Sequence, residues 1–362
     1  LIKVHTGEVK STTKTKPVFT RGTVDFFRDK GAHGIVSGDT TVAYTGPRGY
    51  KQNPAGDCSR YIELARANGW SAEGPSATDF VILDRPETAI ADTFVFTDEE
   101  VRLETQDIQR FSDVYLAGGF RDSDAVANHA HFTLHGLAGP AGCVKSLAMG
   151  CASLKGKHRM HQSFFPHFDE TRCNLCGKCV KHCPENALHI PEREPATPAV
   201  NRERCIGCGE CVTVCAANRN AVTLETEAIS DWSRGEETLH ARMTDYTVGM
   251  MAGRWEQVIH VLHLYNITEL CDCLDIRQSP LTKRDPGFLI SKNPFAVDYL
   301  AARMLDEDLR NDGRSVSQPF LDMAEQVRGY ASERYKIIAD PPVTTRQVWK
   351  CFPASHAAQK RR

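Results

Sequence analysis

The chain has 362 residues, with 44 Lys and Arg against 46 Asp and Glu, a formal charge of −2. At about 150 residues per domain this length points to two or three domains, and a composition of 41 % hydrophobic and 25 % charged residues excludes wholesale disorder. The balanced charge argues against sequence-independent nucleic-acid binding, which runs on phosphate neutralisation, and no apolar run approaches the roughly 18 residues of a membrane span.

In chain order, residues 1–5 read as a strand and lack the basic, apolar and small-residue layout of a signal peptide. Residues 35–39 read as a strand running into a loop. A helix follows over 59–68, with Tyr61, Ile62, Leu64 and Ala65 on one face. Residues 80–84 and 113–117 read as buried strands. Beyond a zone rich in Cys and Pro, 241–252 reads as a helix, 258–264 and 287–291 as strands, and 294–305 as a helix opened by a proline. This alternation predicts an α/β fold with a mostly parallel sheet flanked by helices. The sheet domain falls in two parts, 1–165 and 227–340, interrupted by a small α+β domain over 166–226; residues 341–362 read as a peripheral basic-ended tail.

The interruption carries the strongest signal. Of 14 cysteines, eight fall between Cys173 and Cys215, in two runs whose starts lie 32 residues apart. Cys173-x-x-Cys176-x-x-Cys179-x-x-x-Cys183-Pro184 is matched by Cys205-x-x-Cys208-x-x-Cys211-x-x-x-Cys215. This is the spacing of two-cluster ferredoxins, in which a tight loop sets three thiolates on one cubane and the fourth reaches the other. Cys173, Cys176, Cys179 and Cys215 are therefore assigned to one [4Fe–4S] cluster, and Cys183, Cys205, Cys208 and Cys211 to a second. Gly177, Gly207 and Gly209 suit the strained backbone of such loops. Ala216 stands where proline is usual, but that proline ligates nothing. Zinc and plain structural thiols are the competing readings; zinc sites use pairs of C-x2-C set further apart.

A second constellation involves histidines, eight of whose 14 members lie between His129 and His189. His131 and His135 stand four apart, on one face if that segment is helical. Lys145, Cys151 and His161 follow, and far along the chain comes Cys271-Asp272-Cys273. A Cys-x-Cys ending a strand chelates a metal, closes a disulfide or is buried by chance, and residue type alone does not separate zinc, iron and copper. Gly46-Pro47-Arg48-Gly49-Tyr50-Lys51 lacks the Gly-Lys-Ser/Thr of a phosphate loop, though Arg48 and Lys51 suit an anion. No G-x-G-x-x-G follows a strand, so a dinucleotide fold lacks its fingerprint.

Several further motifs carry a resemblance: Lys3-Val4-His5-Thr6-Gly7-Glu8, Asp39-Thr40-Thr41, Tyr44-x-Gly46-x-Arg48, His131-Phe132-x-x-His135-Gly136, Gly142-Cys143-Val144-Lys145, and Leu147-x-Met149-Gly150-Cys151-Ala152-Ser153. With the double Cys run, Cys271-Asp272-Cys273 and Ser291-Lys292-Asn293-Pro294-x-Ala296-x-Asp298, the chain over residues 2–305 resembles the uncharacterised iron–sulfur centre proteins (domain of unknown function 362). The resemblance implies an α/β domain joined to a ferredoxin module and engaged in redox work. It also implies that His5, His131, His135, Lys145, Cys151, His161, Cys271 and Cys273 belong to one functional region. This chain departs from the pattern at Cys143, Ser146 and Asn293.

The expectation is an iron–sulfur electron-transfer protein or oxidoreductase subunit with two [4Fe–4S] clusters, cytoplasmic and oxygen-sensitive. It would pass single electrons to a redox partner protein or to a site in the α/β domain, with no nucleic acid and no membrane involved. The alternative is a self-contained redox enzyme with an additional metal, of unread identity, held among Cys271, Cys273, Cys151, His131 and His135. His131, His135, Lys145 and His161 are then its catalytic candidates.

Overall fold

The computed structural model describes residues 1–309 except 44, 107, 136–137, 162–164, 194, 206, 208, 217–218, 220, 225–238, 274 and 283–284, and past 309 only 316–317, 319–320 and 323. Of the motif residues, Tyr44, Gly136 and Cys208 lie outside the described residues, as does the tail from 341.

Six strands form the central sheet: β1 (Ile2–Lys3), β2 (Ser37–Asp39), β3 (Phe80–Ile82), β4 (Val126–His131), β5 (Val258–Leu264) and β6 (Gly287–Ser291). Their order across the sheet is β6-β5-β4-β1-β2-β3. Strands β1 to β5 pair in parallel and β6 adds an antiparallel edge. The mixed α/β architecture read from the sequence is therefore present, with strand order 3-2-1-4-5-6. That order reverses between β1 and β4, and in open α/β sheets the crevice outside the carboxyl ends of the strands at such a point takes the ligand.

Eight helices matter here: α1 (Pro17–Asp29), α2 (Ser59–Ala67), α3 (Cys143–Ala148), α4 (Leu154–His161), α5 (Lys178–His182), α6 (Glu210–Ala216), α7 (Leu239–Met251) and α8 (Pro294–Leu309). Side chains alternate across a strand, so the sheet feeds two cores. Val81, Val126, Ala130 and Leu262 pack with α3, α7 and α8 through Leu147, Met243, Tyr246, Phe295 and Leu305. Ile2, Phe80, Ile82 and Ala127 pack the other way, against Val24 of α1 and Tyr61 and Ala65 of α2. Each large side chain buried in this way contributes about 1.5–3 kcal/mol. No described helix is long and apolar enough to cross a membrane.

Two readings need correction. Asp113–Ala117 is a strand but not one of the parallel sheet; it pairs antiparallel with Glu100–Glu104 as a hairpin. The segment around His131 and His135 is not helical: His131 ends β4, and His135 ends a short strand, Thr133–His135, paired with Gly139–Ala141.

Between β4 and α7 the Cys-rich segment builds its own small unit. Pro166–Phe168 pairs with Val222–Leu224, and Leu188–His189 with Ala199–Val200. Helices α5 and α6 pack on each other over a core of Phe168, Cys179, Leu188, Cys211 and Val222. The 32-residue repeat of the sequence is also a repeat of structure. Asp169 and Asn201 each accept the N–H of a cysteine four residues on, at 2.9 Å for Cys173 and 3.0 Å for Cys205. Leu175 and Gly207 share positive φ (53° and 67°), as do Gly177 and Gly209 (69° and 73°). Glycine takes that conformation without cost, whereas a left-handed leucine costs roughly 1–2 kcal/mol.

Candidate functional site

The carboxyl ends of β1, β2 and β4 open on a cavity of about 120 Å³ at the switch point. Its floor is a buried charge network. Lys3, the last residue of β1, donates from Nζ to Asp39 Oδ1 at 3.0 Å; Asp39 is the last residue of β2. Arg48 donates to Asp39 Oδ2 at 2.9 Å, to Glu8 at 3.3 Å and to the Tyr61 hydroxyl at 3.2 Å. Burial alone would raise the Asp39 carboxyl; Lys3 and Arg48 outweigh it and hold the group well below the carboxylate range.

At the end of β4, His131 makes two bonds of 2.6 Å, from Nδ1 to Asp272 Oδ2 and from Nε2 to the Tyr265 carbonyl. Both partners only accept, so both ring nitrogens carry protons and the ring is an imidazolium. Burial opposes that charge, but Asp272 outweighs it and the His131 pKa is raised; reciprocally, His131 overcomes burial and depresses Asp272. Asp272 Oδ1 also accepts from the Thr13 hydroxyl at 2.8 Å and from Ser11 at 3.3 Å. The sequence reading named Asp272 only as the residue between two cysteines; its partnership with His131 joins residues 141 apart in the chain.

Of the eight residues the resemblance grouped, seven line this one cavity: His5, His131, His135, Lys145, His161, Cys271 and Cys273. Cys151 does not; it packs in the apolar core one residue behind Gly150, and burial pushes its thiol up to about 12. The sulfurs of Cys271 and Cys273 are joined as a disulfide. With His135 they form a group whose candidate ligand atoms all lie within 4.8 Å of one another. Neither His131 nor Cys151 belongs to that group, and both nitrogens of His131 are already committed.

Lys145, on α3, opens into the cavity with no hydrogen-bond or ion-pair partner among the described residues, and burial lowers its amine to about 8. Lys157 of α4 is held by Thr40 Oγ1 and the Ala152 carbonyl, each at 2.8 Å. His161 donates from Nδ1 to the Lys157 carbonyl at 2.7 Å. Burial lowers its pKa to about 4, so the ring is neutral with its Nε2 lone pair available. In sum, Lys3, Arg48, Lys145, Lys157 and the protonated His131 face Asp39 and Asp272 on the cavity wall. Five cations against these two carboxylates, with Glu8 behind Arg48 as a third, still leave an excess of positive charge that favours an anionic ligand.

The Cys-rich unit docks beside this cavity. Thr45 donates to the His182 carbonyl at 3.4 Å, Tyr50 bonds Glu185, and Lys51 bonds the Pro184 carbonyl and pairs with Glu185 at 3.2 Å. All three contacts fall on the loop that carries Arg48, and Tyr50 meets the cavity-lining His158 edge-on at 6.4 Å. Glu210, next to Cys211, is buried; burial first and the Glu8 charge second push its carboxyl up to about 8.

Inside the unit, Cys173, Cys176, Cys179 and Cys215 line one pocket, the set that spacing assigned to one cluster. Cys183 Sγ accepts the Ala187 N–H at 3.2 Å, and Cys215 Sγ the Ala221 N–H at 3.1 Å. Such bonds stabilise sulfur that carries negative charge. For the second set, Cys183, Cys205 and Cys211 are described and Cys208 is not.

No curated protein and no solved structure is matched by the chain. A family model described as a domain of unknown function (DUF362) matches residues 1–303, and the chain belongs to that family.

Proposed function

We propose that the chain is an iron–sulfur redox protein: two [4Fe–4S] clusters in the Cys-rich unit serve an anionic substrate held in the switch-point cavity of the α/β domain. The observation that carries this reading is the docking of segment 182–185 on the Thr45–Lys51 loop, which sets the fourth cysteine of the first run beside the wall of the cationic cavity. Four cysteines around one pocket and N–H donors on Cys183 and Cys215 fit a thiolate-held cluster. Bound there, the clusters would supply one-electron transfer.

The remaining work falls to the chain's own side chains. Lys145 and Arg48 attract and orient the anion, the latter held rigid by Asp39 and Glu8. The neutral His161 stands ready as a proton acceptor, while the protonated His131, whose two N–H groups are both given to Asp272 and Tyr265, adds positive charge to the wall. A second reading, an electron carrier for a separate redox protein, is favoured by one fact: Cys176 is exposed at the surface, where a partner would meet it.

The test is metal and sulfide analysis of anaerobically purified protein with EPR of the dithionite-reduced sample. About eight irons and eight sulfides per chain, with interacting reduced-cluster signals, are expected. Stoichiometric zinc in place of iron would defeat the proposal. Perturbation of the EPR signals by a small carboxylate or phosphate, lost in Lys145→Met, favours the enzyme; their indifference to every anion favours the carrier.

A further inference from the structure

The relay reading leaves Cys271 and Cys273 without a task, although both line the cavity. Their Cα atoms lie 5.3 Å apart, and His135 completes a group whose ligand atoms sit within 4.8 Å of one another. The surrounding backbone fixes this meeting. Leu134, beside His135, donates its N–H to the Thr268 carbonyl at 2.8 Å, which ties the histidine's strand to the cysteine loop. Gln278 grips both backbone groups of Leu270, at 3.0 and 2.9 Å. Asp272 anchors the centre of the loop by its bonds to His131, Thr13 and Ser11, so its carboxylate is turned to that network and the two sulfurs are left to His135.

We propose that Cys271, Cys273 and His135 form a redox-gated site for a borderline divalent cation such as Zn²⁺, closed while the cysteines are a disulfide and able to bind once they are reduced. The chemistry balances with a dithiol as reductant. Its two thiols give two electrons and two protons, the protein S–S bond breaks to two thiols, and the reductant leaves as its own disulfide. Cation binding then releases the two thiol protons and forms two metal–thiolate bonds and one bond to the imidazole.

Two thiolates and one imidazole are a donor set that zinc accepts, and three protein ligands leave one coordination position for water or substrate. Charge explains why reduction must come first. A bare divalent cation would enter a wall with five cations and two carboxylates and be repelled. Two thiolates cancel its charge. The site draws on none of the eight cysteines between Cys173 and Cys215, so it stands or falls separately from the iron–sulfur reading.

The experiment compares protein carrying its iron, before and after treatment with dithiothreitol under argon. Both samples are then equilibrated with Zn²⁺ and desalted, and zinc and iron are counted by elemental mass spectrometry. One additional zinc per chain is expected only after reduction, with iron unchanged and with no such gain in Cys271→Ser/Cys273→Ser. His135→Ala should loosen that zinc by tenfold or more. A second measurement on the wild-type chain needs no variant to fold. The tryptic peptide 255–277 should take two alkyl groups only after reduction, and Zn²⁺ should protect it. Equal zinc in the reduced wild type and the reduced double variant overturns the proposal, as does alkylation that is equal before and after reduction or indifferent to zinc. Absence of iron with the zinc result intact would remove the relay reading and leave this one standing.

Discussion

Replacing Asp272 by Asn tests the cavity's electrostatics at one position. The substitution keeps shape and removes the charge that the His131 imidazolium needs, at a site where both side chains are under 5 % exposed. Breaking a buried ion pair from one side costs about 3–5 kcal/mol, because the surviving charge is stranded. The pH dependence distinguishes this from a generic packing loss. Asp272 is depressed, so its contribution is complete above the unfolded value of 3.8 and fades as pH falls through the folded one. His131 is raised, so its contribution is complete below 6.5 and fades as pH rises through its folded value. Between pH 4 and 6.5 both operate, and the Asn variant should lose the full amount. Once His131 is neutral in the wild type as well, what remains is the weakened bonding of Thr13 and Ser11, about 1–2 kcal/mol. Urea denaturation followed by tryptophan fluorescence at half-unit steps from pH 5 to 10 reads this directly. A loss that is flat across that range, or below about 1 kcal/mol at pH 5.5, would refute the imidazolium assignment.

Four further outcomes follow from the geometry. Lys145 is cationic below its value of about 8, so phosphate binding measured by calorimetry should weaken as pH rises through 8; Lys145→Met should lower affinity about tenfold at pH 7 and flatten the profile. The Asp298 carboxylate caps the start of α3 by accepting the Cys143 and Val144 N–H groups at 2.7 and 2.8 Å, so Asp298→Ala should cost about 1–2 kcal/mol in denaturant titrations. A Cβ at Gly142 would lie 2.4 Å from Asp298 Oδ1, so Gly142→Ala should displace the same cap, and the double variant should be less destabilised than the sum of the singles. Cys176→Ser should lower the iron count from about eight to about four per chain while the far-UV spectrum of the α/β domain is retained.

What the sequence disclosed depended on whether the signal was local. The apolar runs of β3 and β5 and the periodic face of α2 show themselves because burial on a pleat or a stripe repeats within a few residues; β6 shows by its apolar residues alone, since Phe288 and Ile290 are exposed. Strand β4 hides, because its buried positions include Asn128, His129 and His131, polar side chains satisfied by partners on distant strands and loops. Helix α1 hides for the opposite reason: Val18, Phe19 and Phe26 are exposed on it while Thr20 and Val24 are buried. The cysteine runs were legible because a cluster loop fixes their spacing. The pairing of His131 with Asp272, of Arg48 with Asp39, and the lack of a side-chain partner for Lys145 among the described residues were not, since each is decided by strand order rather than by neighbours in sequence.

The pairing of Pro166–Phe168 with Val222–Leu224 bears on how the chain reaches its native state. Strands β4 and β5 must find each other across 132 residues, as at Asn128 and His260. Chain closure over such a span is slow and entropically opposed, with a cost that grows as the logarithm of the loop. A segment that first zips its own two ends together, Pro166 against Leu224, shortens that loop by somewhat less than half at a stroke. To the sheet, the insertion then behaves as a short connection, and a cassette whose ends meet in this way can be gained, lost or exchanged without re-threading the strands around it.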